Sequence, residues 1–404
     1  MTETSSNKTR VVFPSNSTLT LVEVKDKKTR REFLKVPLII NKNDPNWIRP
    51  LDVDIEDVFD AKKNKALRNS EAIRWVLKDK SGNLIGRTAA FINKKTADRN
   101  DQPTGGMGFF DCINDQDAAS LLFEACQQWL ERRGMEAMDG PINFGERDRW
   151  WGVLVDGFSE PNYCANYNQP YYQKLFEEYG FKIYFNQYTY RRGVTDPVPE
   201  KQLVKADRIA ANPGYTFEHI SLKKLDKFAG DFSSIYNAAW VKHESVAGIS
   251  KEQALVILKK MKPIIDEQIV WYAYYEGEPA GFFIMLPEVN QIFKYVNGKM
   301  NWLGKIKFLW YKWRGVCRKM FGVVFGIVPD HQGKGLEVAI VMAAAEVIQP
   351  LNRYDILELN WIGDFNPKMM RVTESMGVKI VKTHITYRKL FDPDAIFKRA
   401  PMMD

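Results

Sequence analysis

Phe321-Gly-Val-Val-Phe-Gly-Ile-Val-Pro329, followed without a break by Asp330-His-Gln-Gly-Lys-Gly-Leu-Glu337, decides how this 404-residue chain is read. The first stretch is apolar, β-branched and aromatic, the composition of a buried strand. Pro329 has no amide hydrogen for a ladder and ends that strand. Gly333 and Gly335 permit a tight turn at positive φ. From Val338 to Ile348 the chain is apolar almost all round, which predicts a mostly buried helix. Strand, glycine turn and helix start together make an anion site, because free amides point outward and the helix dipole adds partial positive charge. Lys334 adds a full charge, and the expected guest is a pyrophosphate. The same glycines would serve equally as a plain tight connection.

Composition sets the outer bounds. The length favours two domains, and 45% apolar with 27% charged residues is ordinary for a globular protein. A net charge of +8 suits an anionic partner. Cys112, Cys126, Cys164 and Cys317 lie far apart with no Cys-x-x-Cys, so neither a disulfide framework nor a metal site is expected. The polar start carries no signal peptide and no stretch spans a bilayer, so the expected location is cytoplasmic.

Residues 1–18 read as disordered. Strands are predicted near 18–24, 72–77, 85–93 and 108–112, with helices near 28–38, 52–62 and 115–133. After Gly140-Pro-Ile-Asn-Phe-Gly145 comes a long loop rich in Trp, Gly, Asn and Tyr. The second half repeats that order from about residue 215. The clearest match is Gly180-Phe-Lys-Ile-Tyr-Phe-Asn-Gln-Tyr-Thr-Tyr-Arg-Arg192 on Gly377-Val-Lys-Ile-Val-Lys-Thr-His-Ile-Thr-Tyr-Arg-Lys389, ungapped at a constant offset of 197. An offset of half the chain indicates a duplicated domain rather than a solenoid.

An insertion at 288–320 precedes the central strand. It carries Lys294, Lys299, Lys305, Lys307, Lys312, Arg314, Arg318 and Lys319 among aromatics, with no acidic residue from 291 to 320. If 302–320 is helical, Trp302, Ile306, Leu309, Trp313, Val316 and Met320 form one stripe. Three readings compete, in order of preference: a stripe packed on the domain with snorkelling lysines, an amphipathic helix on lipid headgroups, and an RNA contact.

Gln332-x-x-Gly335 after a strand and before a helix resembles the acyl-coenzyme A loop of the GNAT acetyltransferase superfamily; Glu337 stands where that family has Gly or Ala. Each half also resembles the family's closing pattern, an Asn before a helix that ends in Gly-Phe or Gly-Val: Asn168 with Gly180-Phe181, and Asn366 with Gly377-Val378. The resemblance spans nearly the whole chain and implies an α/β fold with a mixed sheet, two GNAT-like domains in tandem, over 19–200 and 210–404. Asp111-Cys-Ile-Asn-Asp115 replaces the glycine turn in the first half, which is expected to lack the pyrophosphate site.

The resemblance implies an N-acyltransferase that uses acyl-coenzyme A, or acyl-carrier protein, as donor, needs no metal, and acts on an amine, with a pattern similar to ceramide-synthase-type members. The amine attacks the thioester directly, aided by an N–H on the carbonyl and a base. Ile327, Val328, Gln332, Gly333, Lys334, Gly335, Leu336 and Asn366 are the expected coenzyme contacts, although Asn366 serves equally as a helix N-cap. Glu358 and His243 are the candidate bases, the former with a pKa raised by a dry cleft; an ion pair and a helix-end histidine are their bland alternatives. Family spacing would put a thiolate-protonating Tyr at Thr373, so Tyr387 is the substitute. Asn143, Tyr171 and Tyr172 are expected to line the acceptor side, and Trp302, Trp310 and Trp313 to meet a lipid-like acceptor. A non-catalytic lipid- or peptide-binding scaffold and an aminoacyl-tRNA-dependent transferase remain as alternatives.

Overall fold

The computed structural model describes residues 19–403 except 95, 98–101, 146, 148 and 241–247. The N-terminal stretch expected to be disordered and His243 lie outside the described residues. In chain order the first half comprises β1 (Thr20–Glu23), α1 (Lys27–Ile40), α2 (Asp52–Val58), β2 (Glu71–Lys78), β3 (Leu84–Ile92), β4 (Thr104–Cys112), α3 (Gln116–Glu131), β5 (Ala137–Gly140), β6 (Val153–Asp156), α4 (Tyr172–Glu178) and β7 (Lys182–Gly193). After α5 (Glu200–Ala210) the series recurs as β8 (Tyr215–His219), α6 (Leu225–Trp240), α7 (Lys251–Met261), β9 (Val270–Tyr275) and β10 (Glu278–Pro287). Two inserted helices follow, α8 (Asn290–Val296) and α9 (Trp302–Trp313). The chain closes with β11 (Lys319–Ile327), α10 (Leu336–Leu351), β12 (Ile356–Leu359), β13 (Ile362–Gly363), α11 (Pro367–Ser375) and β14 (Lys379–Leu390).

All strands among the described residues join one mixed sheet, whose main path runs β1-β2-β3-β4-β5-β14-β7-β12-β11-β10-β9-β8. The last strands of the two halves have changed places. β14, from the end of the chain, pairs with β5 of the first half, and β7 pairs with β12 of the second. The two exchanged strands are also antiparallel to each other, with His384 opposite Gln187, Ile385 opposite Asn186 and Thr383 opposite Tyr188. Residues 187 and 384 are equivalent under the 197-residue offset, so a local pseudo-twofold passes between them.

Side chains repeat the exchange. Tyr387 is fully buried in the first half's core between Phe176 and Phe181, its hydroxyl 2.9 Å from Glu177 Oε1. Its mate Tyr190 reaches Glu374 Oε1, at 3.3 Å, in the second half. Likewise Arg388 forms a fork on Asp139 of β5 (2.6 and 2.8 Å), while Arg191 holds Glu358 of β12 (2.7 Å). Each half is thus completed by the other's apolar and ionic groups.

α3 and α4 cover one face of the first half, with Phe110, Phe123 and Phe176 in contact there, and α1 and α2 cover the other. In the second half α5 and α10 share a core with Met320 and Leu357, while α6 and α7 pack on Tyr272, Phe282 and Ile284. α5 was not anticipated, because its sequence falls where a linker between halves was expected. Its buried Gln202, Ala206 and Ile209 nonetheless recur at helical spacing. The insertion helix stops at Trp313 and the chain turns at Gly315, so Val316 and Met320 leave the expected stripe; Met320 belongs to β11.

Because neither half holds its own last strand, fragments 1–197 and 198–404 made separately should show no cooperative melt. Co-expressed, they should co-purify and melt as one. A folded, monomeric 1–197 fragment would contradict the exchange.

Candidate active site

β11 and β12 run parallel, but their pairing lasts only from Lys319–Ile356 to Gly322–Leu359. An Asn360 N–H to Gly322 carbonyl bond (2.8 Å) closes the apex. Beyond it β11 continues through Val323–Ile327, whereas the other side turns away into β13, paired on β7. A gap therefore opens along one edge of β11. The Val328 N–H is spent on the Ala280 carbonyl of β10 (2.9 Å), so this expected coenzyme donor is committed to the ladder. Antiparallel alternation turns the amides of Phe325 and Ile327 to the gap instead.

The glycine turn stands at the head of that gap. Gly333 and Gly335 adopt φ +70° and +103°, as the turn requires. Open space surrounds the position a Cβ would take at Gly333. Gly335 caps α10 without any side-chain hydrogen bond, and helix geometry leaves the Leu336 and Glu337 amides without intrahelical acceptors. The Gln332 side chain donates to the Ile327 carbonyl (2.9 Å), bracing the turn on the strand rather than reaching outward. His331 Nδ1 lies 2.8 Å from the Tyr215 hydroxyl. α5 presses on the turn: Arg208 donates to the Lys334 carbonyl (2.9 Å), and a Cβ at Gly335 would fall 2.9 Å from Lys205 Cβ. Lys205 and Arg208, which sequence reasoning missed, join Lys334 in a cationic rim. Asn366 caps α11 by accepting from Met369 N–H (3.1 Å).

The first half's equivalent gap is filled. Cys112 ends β4 as Ile327 ends β11, but its N–H donates to the Tyr172 hydroxyl (2.9 Å) and its carbonyl accepts from Tyr171 (2.7 Å). Tyr171 and Tyr172 therefore stand at the first half's edge, as expected of their place in the chain, and plug its gap. Trp150 and the buried Arg87–Asp111 pair (2.7 Å) line what remains, a cavity of about 60 Å³. Asn143 is buried on the same half's loop. Tyr387, in that core, has a packing role remote from the turn and does not replace the missing thiolate acid.

Glu358 corrects the expectation of a raised carboxyl. Burial works to raise it, but Lys382, Lys319 and Arg191 outweigh burial and hold it near pKa 2. A carboxylate so stabilised is a weak base, and its mate Asp139 is likewise held by an arginine where no glycine turn exists. Glu288 differs. It is 2% exposed, accepts from Tyr163 N–H and Asn290 N–H (both 2.9 Å) through Oε1, and has a buried Oε2 without a hydrogen-bond partner. Burial pushes its pKa up to about 7, against the pull of those amides and Lys319. Burial likewise draws Lys382 down to about 8, although Glu358 opposes it. The long first-half loop covers this cluster: Lys319 Nζ lies 3.3 Å from Asn162 Oδ1, and Lys382 Nζ donates to the Glu160 carbonyl (2.6 Å). The sequence holds no distinct signal for this cluster, because Lys319 stands at the edge of the basic insertion and Lys382 lies in a polar strand.

Folded Glu288 binds its proton more tightly than the unfolded chain does. Its contribution to stability is therefore complete below the ordinary value of 4.5 and is lost as pH rises through about 7. From about pH 5 to pH 8 the protein should lose on the order of 3 kcal/mol that Glu288→Gln does not lose. Parallel melting profiles across that window would contradict the assignment.

No protein-family model matches the chain. The bacterial ceramide synthase of Caulobacter vibrioides (strain NA1000 / CB15N) is 27% identical over 93% of this chain and 98% of its own length. Among solved structures, a tandem GNAT protein from the clavulanic acid biosynthesis pathway aligns with TM-score 0.50 at 12% identity, over 93% of this chain and 100% of that one. A GCN5-related N-acetyltransferase from Sphaerobacter thermophilus aligns with TM-score 0.51 at 10% identity, over 96% and 100%. The chain has the tandem GNAT fold and, along nearly its full length, is a sequence relative of that bacterial ceramide synthase.

Proposed function

We propose that the protein is an N-acyltransferase whose single donor site is the gap beside β11. The observation that carries this reading is the asymmetry between the halves: one gap is plugged by Tyr171 and Tyr172, while the other opens beneath an uncapped, positive-φ glycine turn. The donor is an acyl thioester of coenzyme A, or of an acyl-carrier protein. Its diphosphate would meet the amides from Gly333 to Glu337, with Lys334, Lys205 and Arg208 around it. Its pantetheine arm would run along the free edge of β11, past Phe325 and Ile327. In the transfer the acceptor nitrogen bonds to the thioester carbon, the C–S bond breaks, and the ammonium proton leaves with the thiolate or a base. Sequence similarity to the bacterial ceramide synthase supports a long-chain amine as acceptor.

A second reading, a scaffold that binds without catalysis, is favoured by Glu337 alone. This carboxylate stands in the first turn of α10, where a diphosphate would be repelled.

Thermal-shift titration separates the two. Palmitoyl-coenzyme A at about 100 times its dissociation constant should add about 2.7 kcal/mol of stability. Gly333→Asp should fold unchanged, since Asp tolerates the left-handed region and the space is open, yet bind at least about tenfold more weakly through charge repulsion. No shift with acetyl-, palmitoyl- or free coenzyme A would leave the scaffold reading.

A further inference from the structure

The stripe on α9 does not pack on the protein. Trp302, Leu303, Ile306, Leu309, Trp310 and Trp313 are 50–76% exposed. The preferred expectation of an inward-facing stripe is thereby corrected, and the physical reason lies on the opposite side of the helix. There Phe308 is buried against Phe293, Tyr311 stacks on Tyr295 at 4.0 Å between centroids, and Gly304 allows the close approach of the Lys299 carbonyl. Those contacts fix which way the helix faces. At about 100° per residue the six exposed apolar side chains occupy an arc of roughly 120°. Lys305 and Lys312 border one edge of it, and Lys307 and Arg314 the other. No acidic residue occurs between Glu288 and Asp330.

We propose that α9 is a membrane-docking helix that seats this protein on an anionic lipid bilayer. Several observations point to lipid rather than to a protein partner. The indoles and aliphatic side chains form the outermost strip, and cations border both of its long edges. That arrangement matches a bilayer interface, where apolar groups enter the acyl boundary and lysines stay with the headgroup phosphates. A protein interface is depleted of lysine and would need matching acids. RNA would use the aromatics for stacking but offers nothing to Leu303, Ile306 and Leu309. No described helix is long and apolar enough to cross a bilayer, and α9 has only 12 residues, so the docking lies in the plane of the surface. The proposal does not depend on the transfer reaction.

The full-length protein should float with vesicles of phosphatidylglycerol and phosphatidylcholine, and at least about tenfold less with phosphatidylcholine alone. Trp302→Ser, Trp310→Ser and Trp313→Ser combined should keep the melting temperature yet reduce partitioning by about tenfold or more. Lys305→Glu with Lys312→Glu should abolish the preference for the anionic lipid. Brominated acyl chains should quench wild-type tryptophan fluorescence more than that of the triple variant. Equal flotation of wild type and triple variant would overturn the proposal. So would failure to float combined with a dimer that the triple variant makes monomeric, or with a tRNA gel shift that the triple variant loses.

Discussion

The reciprocal grip of two arginines on two strand-borne carboxylates, across an exchanged pair of β-strands, underlies the rest of the structure. Arg388 on Asp139 and Arg191 on Glu358 neutralise carboxylates in a sheet interior where neither acid could remain alone without a large desolvation penalty. Because each arginine belongs to one half and its carboxylate to the other, the pairs act as register pins. A slip of one residue would turn every side chain to the wrong face and strand four charges. The tyrosine–glutamate pairs repeat the constraint one residue earlier on each strand. The seam is thus as much part of the core as either half.

Where the halves stop being alike is informative. Around Asp139 the first half keeps a simple pair, while around Glu358 the second half adds Lys319, Lys382 and Glu288. The same contrast appears at the strand ends, where tyrosine hydroxyls saturate the backbone of Cys112, whereas the Gln332 side chain bonds the Ile327 carbonyl and leaves its amide turned to the gap. Duplication supplies a frame, and the departures from it mark the side with room for chemistry. Glu288 and Lys382, two buried groups that burial shifts toward neutrality, also lie on that side, at the base of β11 and under the other half's loop.

Much of this frame could be read from residues. The apolar run before Pro329, the two glycines and the long apolar helix gave local structure directly, since each is fixed by short-range chemistry. The ungapped offset of 197 exposed the duplication. The exchange of β7 and β14 was not legible, and the reason is physical: two strands of nearly the same pattern can satisfy either neighbour, so alternation does not encode the partner. The same ambiguity led to the expectation for Tyr387, which looked available beside the second half but completes the first. Glu358 departs from its expected state because burial alone raises a carboxyl, whereas three cations brought in by tertiary structure lower it. The direction of the tryptophan stripe is not legible either, because helical periodicity finds a face without saying which way it points. Gly304, Phe308 and Tyr311 decided that.

A chain whose lobes share their last strands has no hinge. Lobe-to-lobe opening would tear ladder bonds and bare buried charges, so any ligand of the gap would be admitted by smaller parts, such as the loop over Lys319 and Lys382 or the helices flanking the gap. The fused sheet thus behaves as a rigid anvil, and breathing is confined to the pieces laid on top of it.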